Sequence, residues 1–328
     1  MPVAMVAIDE TARIGTGSRL TAGRVRPIGV PLWLGAERPG VERAPAEIEA
    51  GLRRRWVERD RPELLARLDP GITVPVATPR DAAERLHRRS LEFLPEIART
   101  TGLLAEAVAT AIDDGALALA LGGDHALSIG SIAGAARVAG GRLGLLWLDT
   151  HPDLNTPQTS PSGHIHGMAL AAALGLGAPA LTGLDQPGPR LLAEDVCLLG
   201  VRDLDPGERR LIGEHGIWAM TMEEWTDAGL LAGVEAALTQ LAARGVTAVH
   251  LSVDLDVLDP KLLPGTGTTV AGGLTYREAS QVLRRLRDWD GPVRSVDWVE
   301  LNPALDPTGW STETAVALLA TLLGETMR

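Results

Sequence analysis

Two textures alternate along this chain. Short, nearly unbroken apolar runs occupy residues 116–121, 143–147 and 196–200. Longer stretches between them return an apolar residue every three or four positions. The first texture reads as strands buried on both faces, the second as amphipathic helices. Residues 26–34, 246–251 and 294–303 supply further strands. Residues 217–220 form a short one, and 71–77 read as an edge strand because Pro75 cannot donate to a ladder. Helices are predicted over 46–57, 90–113, 128–138, 222–244 and 313–326, with a further one over 168–174 stopped at Gly175. Strand–helix alternation of this kind predicts one three-layer α/β/α domain with a mostly parallel sheet. No stretch is long or polar enough to divide it. Residues 1–24 are Gly/Thr-rich and read as a mobile N-terminal arm, leaving 25–328 as the catalytic domain.

Composition narrows the function classes. Lys and Arg number 31 against 42 Asp and Glu, a net charge of −11, and no basic stripe appears, so nucleic acid is not expected as a partner. Cys197 is the only cysteine. It excludes an intrachain disulfide and reads as a core residue rather than a nucleophile. No run approaches transmembrane length, and the N-terminus lacks a basic region before meeting acid. A cytoplasmic protein with no membrane partner is the expectation.

The candidate chemistry sits where apolar runs end. After residues 143–147 come Asp149, His151 and Asp153 at alternate positions. On an extended segment such residues point to one side. After 246–251 come Asp254 and Asp256, again alternating, with Asp259-Pro260 marking a turn. After 116–121, the run Gly-Gly-Asp-His places His125 at a third strand end. The glycine pair is not followed by Lys-Ser/Thr, so a phosphate loop is not indicated. Any one cluster could be an acidic turn. Asp is a poor strand residue, however, and an unpaired buried carboxylate is costly, so a cation is the natural reason for several together. Four aspartates and two histidines over-supply negative charge to one divalent ion and come close to balance with two ions and a hydroxide. Oxygen-rich ligation with imidazole and no Cys suits Mn²⁺.

These motifs, Gly-Gly-Asp-His, Asp-x-His-x-Asp-x-Asn and Ser-x-Asp-x-Asp-x-x-Asp-Pro, resemble in order and spacing those of the arginase (ureohydrolase) family, from about Ile28 to the last helix. The resemblance implies two Mn²⁺ per chain. Asp149 and Asp254 would bridge them; His125 and Asp153 would complete one ion, His151 and Asp256 the other. It implies attack of a bridging hydroxide on a guanidinium, with His166 as proton shuttle, Asp153 assisting and Glu300 pairing with the guanidinium. Arg-Asp-x-Asp-Pro-Gly-Glu is similar to the family segment that receives an α-amino group, which puts Asp205 on that group with Glu208 nearby. Asn155, Ser160, Ser162 and the turn at His164 would meet the α-carboxylate, and Thr268 would lie near the guanidinium.

L-Arginine, cleaved to urea and L-ornithine, is the substrate so implied. His164 stands where arginases have Asn, Ser160 where Thr is frequent, and Thr150, Pro152 and Trp33 also depart from the pattern. An Nω-hydroxy-L-arginine or other guanidino-compound hydrolase is therefore the alternative. A catalytically silent, metal-binding regulatory protein is a reading of another class, which the presence of every ligand and of His166 opposes. His87, His215 and His250 lack such context and read as structural or surface residues. The family resemblance implies a homotrimer or homohexamer.

Overall fold

A computed structural model describes residues 19–85, 91–184 and 188–326. Eight strands form one sheet: β1 (Val25–Val30), β2 (Ile72–Thr73), β3 (Leu117–Gly122), β4 (Leu143–Leu148), β5 (Val196–Val201), β6 (Trp218–Thr221), β7 (Ala248–Asp254) and β8 (Val293–Val299). All neighbours pair in parallel, in the order β2-β1-β3-β8-β7-β4-β5-β6. The chain crosses from β3 to β4 and later fills the gap between them with β7 and β8. In open α/β sheets, such a reversal of strand order leaves a crevice at the carboxyl ends of the strands, where ligands bind.

Period-two alternation assigns each strand face to its own core. Leu117, Leu119 and Leu121 face the helices Ala44–Glu58, Tyr276–Arg287 and Trp310–Leu322, whereas Ala118 and Ala120 face Leu94–Asp113 and Ser128–Arg137. Small residues on the second face let its helices come close. A Cβ at Gly130 would lie 2.3 Å from the carbonyl oxygen of Thr101 on the neighbouring helix. Cys197 is fully buried in the first core, and burial pushes its thiol up to about 12, in keeping with a packing role. Among the described residues no helix is long and apolar enough to cross a membrane.

Several expectations shift at their edges. The first strand ends at Val30 rather than residue 34, and the edge strand shrinks to Ile72–Thr73, beyond which Pro75 cannot extend the ladder. The helix expected over 222–244 is two, Met222–Ala228 and Leu230–Ala243, divided at Gly229, whose φ of 89° no helix accommodates. The closing helix starts at Trp310 and stops at Leu322. Part of the expected arm is tied down. Arg19–Ala22 form a helical turn, Leu20 is buried, and Arg67 donates to the carbonyls of Leu20 and Gly23. Residues 1–18 of that arm and His87 lie outside the described residues.

Candidate active site

Five adjacent strands, β3, β8, β7, β4 and β5, deliver the candidate residues from their carboxyl ends. His125 begins a short 3-10 turn just past β3, and its ring stacks on Trp147 of β4, with centroids 4.1 Å apart. Its Nε2 lies 2.8 Å from Ser252 Oγ, which leaves Nδ1 to face the acids. Three carboxylate oxygens surround that nitrogen: Asp149 Oδ2 and Asp153 Oδ2 at 3.1 Å, and Asp254 Oδ2 at 3.0 Å. A second nitrogen, His151 Nδ1, lies 3.0 Å from Asp256 Oδ2 and 3.7 Å from Asp149 Oδ1.

Two groups of donor atoms result, His125 with Asp149 and Asp254, and Asp149 with His151 and Asp256, each within 4.8 Å and sharing Asp149. A metal ion fits this arrangement better than hydrogen bonding does. His125 Nδ1 is buried beside three carboxylates yet makes no hydrogen bond among the described residues. Hard oxygen donors with imidazole and no sulfur are the donor set for a divalent ion of the Mn²⁺ type.

The route to this geometry differs from simple alternation on strands. β4 ends at Leu148, so Asp149, His151 and Asp153 lie on a loop. Asp149 Oδ1 accepts from His151 N at 2.7 Å, and Asp153 takes a left-handed φ of 51°. Asp254 ends β7, but Asp256 sits in the following 3-10 turn, where its N–H donates to Asp254 Oδ1 at 2.8 Å. Carboxylates that cap their own turns curl the chain round one point, which a straight strand could not do.

Crowding of like charge appears in the proton affinities. Burial, reinforced by Asp256 and Asp149, pushes Asp254 well above the ordinary carboxylate range. Burial and then Asp149 raise Asp153 to about 6. Asp256 moves the other way: burial opposes its charge, but His151 and the Thr150 N–H hold it down.

Glu300 follows β8 at a left-handed φ of 65°. Its Oε1 accepts the His125 N–H at 2.8 Å and lies 3.1 Å from His166 Nδ1. Burial works against a charge on His166, but Glu300, Asp153 and Asp124 outweigh it and bring the ring up to about 9. Asp153 and Glu300 are two of only four non-glycine residues with positive φ among the described residues, as strain gathered at a working site would give.

A cleft of roughly 620 Å³, open on one side, lies over these groups. His151, Asp153, Asp254 and His166 line its floor; Asn155, Ser162, Asp205, Glu208 and Thr268 line its walls. Among the described residues no Lys or Arg lines it. Asn155 Nδ2 donates to Asp205 Oδ2 at 2.8 Å, joining two expected contacts for an α-amino acid. Glu208 braces that pair, because its carboxylate accepts from both Leu154 N and Asp205 N at 3.0 Å; burial raises it to about 7. Thr268 Oγ1 donates to Asp256 at 3.2 Å.

Ser160, His164 and Glu300 are not among the residues that line the cleft, Glu300 lying buried beneath His166. Ser160 Oγ accepts the Gly163 N–H at 2.8 Å and shapes the turn, and His164 borders a small hollow with Leu91, Glu92 and Phe93. His250 is fully buried, as a structural residue would be, whereas His215 lies on the exterior. Residues not singled out from the sequence also matter. Asp203 lines the rim, Trp147 Nε1 donates to Asp149 Oδ2 at 2.9 Å, and Ser252 fixes the ring of His125. Ser252 could have been found: His250, Ser252 and Asp254 alternate with the apolar Val249, Leu251 and Val253, which marks one polar face of β7.

Residues 24–324 match the model of the Arginase family. An arginase of Bacillus caldovelox is 43% identical over 302 residues, covering 91% of this chain and 97% of that protein. The crystal structure of arginase from Bacillus subtilis superposes with a TM-score of 0.82 at 37% identity, covering 93% of this chain and all of that one. An Entamoeba histolytica arginase solved in complex with L-ornithine superposes with a TM-score of 0.80 at 28% identity, over 94% of this chain and all of that one.

Proposed function

The chain belongs to the arginase family and is an enzyme of the amidinohydrolase type, and from that premise we propose that it hydrolyses L-arginine to urea and L-ornithine with two Mn²⁺ ions. His125, Asp149, Asp153 and Asp254 would hold one ion, and Asp149, Asp254, His151 and Asp256 the other. The observation that carries this reading is the pair of donor groups joined through Asp149, with the buried Nδ1 of His125 lacking any hydrogen bond among the described residues. The chemistry such ions supply when bound is the generation of a nucleophile from water near neutral pH.

The side chains do the rest. Glu300 stands behind the floor of the cleft, where a carboxylate can pair with a planar guanidinium in the two-point manner that fixes its orientation. Held at the distance of a reacting pair, the guanidinium carbon meets a water beside Asp153, which accepts a hydrogen bond from it. With Nδ1 of His166 occupied by Glu300, its Nε2 is the nitrogen left to deliver a proton to the departing amine. Asp205 would receive the α-ammonium, and Asn155 and Ser162 the α-carboxylate, with Ser160 holding their turn. The acidic walls favour a substrate carrying two cationic groups.

L-Arginine is preferred here over a modified arginine because relatives 43% and 39% identical over 91% of the chain are arginases. A homotrimer or homohexamer in the cytoplasm completes the proposal. Urea release from a panel of guanidino compounds tests the substrate. Agmatine lacks the α-carboxylate and would leave the clamp unpaired, so kcat/KM should favour L-arginine by roughly four orders of magnitude. A preference for agmatine or guanidinobutyrate would refute the clamp, and a preference for Nω-hydroxy-L-arginine would move the assignment to a modified substrate. Metal analysis after Mn²⁺ reconstitution should approach two ions per chain.

A further inference from the structure

Arg202 opens the Arg-Asp-Leu-Asp-Pro-Gly-Glu stretch, yet its guanidinium does not enter the cleft. It turns back beneath the floor and donates to backbone carbonyls. Nη2 reaches the carbonyls of Asp256 at 2.8 Å and Val270 at 2.9 Å, and Nη1 reaches that of Val257 at 3.4 Å. Nε is buried with no hydrogen-bond partner among the described residues. A charged group placed among carbonyls, with no carboxylate among these hydrogen-bond partners, is an unusual use of arginine and needs a reason.

The carbonyls it gathers supply one. Asp256 belongs to the 3-10 turn after β7, and Val270 to the loop that presents Thr268 to the cleft. Arg202 leaves the end of β5, so its fork joins three segments at one point, the strand end, the Asp256 turn and the Thr268 loop. A second cord supports the same point, since Thr150 Oγ1 donates to the Asp256 carbonyl at 2.7 Å. The positive charge also lies close enough to Asp256, Asp149 and Asp254 for each to act on it electrostatically. None of these hydrogen bonds reaches His125, Asp153 or Asp254. Asp254 ends β7, and His125 lies in the turn past β3, where Ser252 and Glu300 hold it.

We infer that Arg202 is a positioning residue for one half of the metal centre: it sets the turn that brings Asp256 to His151, together with the Thr268 loop, and leaves His125 and Asp153 unaffected. This rests on the two-ion reading above. A planar fork with five donors can hold several carbonyls at fixed angles, whereas a lysine offers one mobile point of charge.

The test is calorimetric titration of Mn²⁺ into the chelator-treated full chain, for the parent, Arg202→Lys and Arg202→Met. Two binding events are expected for the parent. In Arg202→Met one event should weaken about 10–100-fold, the range for loss of a group that orients a ligand, while the other stays unchanged. Arg202→Lys should fall between, since it keeps the charge without the fork. At saturating Mn²⁺, the Met variant should keep kcat within a few-fold and raise KM, through the Thr268 loop. Equal weakening of both events, or of neither, would overturn the inference, because a purely structural role has no reason to select one ion. If Arg202→Met does not fold, the Lys variant decides by the same criterion. A single event in the parent would instead refute the two-ion reading and leave the geometry of Arg202 without that purpose.

Discussion

Two buried clusters of histidine and aspartate sit one above the other on the same strands, and only one has the chemistry of a site. Within the sheet, His250 Nδ1 lies 2.7 Å from Ser295 Oγ and its Nε2 lies 2.9 Å from Asp297 Oδ2. Ser128 and Ser131 each donate to the same carboxylate oxygen at 2.6 Å. One acid faces three donors there. Four residues further along β7, Asp254 joins Asp149, Asp153 and Asp256, and four acids face the rings of two histidines. The residue types are the same, and both clusters are buried. What separates them is balance: in the first, three donors converge on one acid and only its Oδ1 is left without a partner, whereas the second gathers acceptors round a nitrogen that bonds to none of them. A buried polar cluster with donors for its one acid holds a fold together; one with surplus carboxylates is arranged for something absent from the chain.

Substitution should separate the clusters. Asp149→Asn removes the residue shared by both donor groups, so bound metal and urea release should both fall to background, as metal analysis and a urea assay would report. Asp297→Ala should keep both ions and near-parental kcat, while losing stability by about 1–3 kcal/mol for each donor left unpaired. Denaturant unfolding of the holoenzyme measures that. Loss of the ions from a folded Asp297→Ala protein would show that the lower cluster is part of the site after all. His166 tests the boundary between binding and chemistry. His166→Asn should lower kcat by about two to four orders of magnitude with two ions retained. A variant of near-normal kcat would make His166 as structural as His250.

Much of this was legible in the sequence, for a definite reason. Strands buried on both faces leave apolar runs, and a metal centre at their ends leaves His and Asp at short spacings, so β3, β4 and β7 announced both themselves and their cargo. The spacing misled on mechanism, however. Asp149, His151 and Asp153 converge through a carboxylate-capped loop and a left-handed Asp153, not through an extended strand. Such backbone conformations depend on the loop's partners across the sheet and have no local signature. Arg202 was hidden likewise, because its shortest bonds run to backbone carbonyls 54 and 68 residues away.

The smallest expected effect is also the sharpest contrast, because the two clusters should respond to pH with opposite signs. In the folded, metal-free protein, burial and neighbouring acids raise Asp153 to about 6, and burial raises Glu208 to about 7. Acids raised in this way favour the folded state while protonated, so their contribution declines as pH climbs from the ordinary carboxylate range through 6 to 7. His166, carried up to about 9 by Glu300 and other acids against burial, adds stability that is present below its unfolded value and lost as pH rises through 9. Asp153, Glu208 and His166 therefore make the metal-free protein less stable toward alkaline pH, with Asp256, held down against burial by His151, the exception among the site acids. Asp297 has the opposite sign. Burial opposes its charge, but His250 and the two serine hydroxyls hold it below the usual range, so its contribution is complete above about 4 and disappears as acid protonates it. Denaturant midpoints measured with chelator should rise as pH falls from about 9 to 5, then drop below about 4. Asp297→Asn should make the acid limb shallower, leaving the share of Asp256 and Asp306, and keep the alkaline limb in place. Saturating Mn²⁺ should reverse the alkaline limb, since metal binding favours deprotonated ligands and stabilises the fold in proportion to occupancy. A metal-free midpoint that stays level from pH 9 to 5 would mean that the acids at the strand ends are not held in conflict, and the distinction between the two clusters would fail.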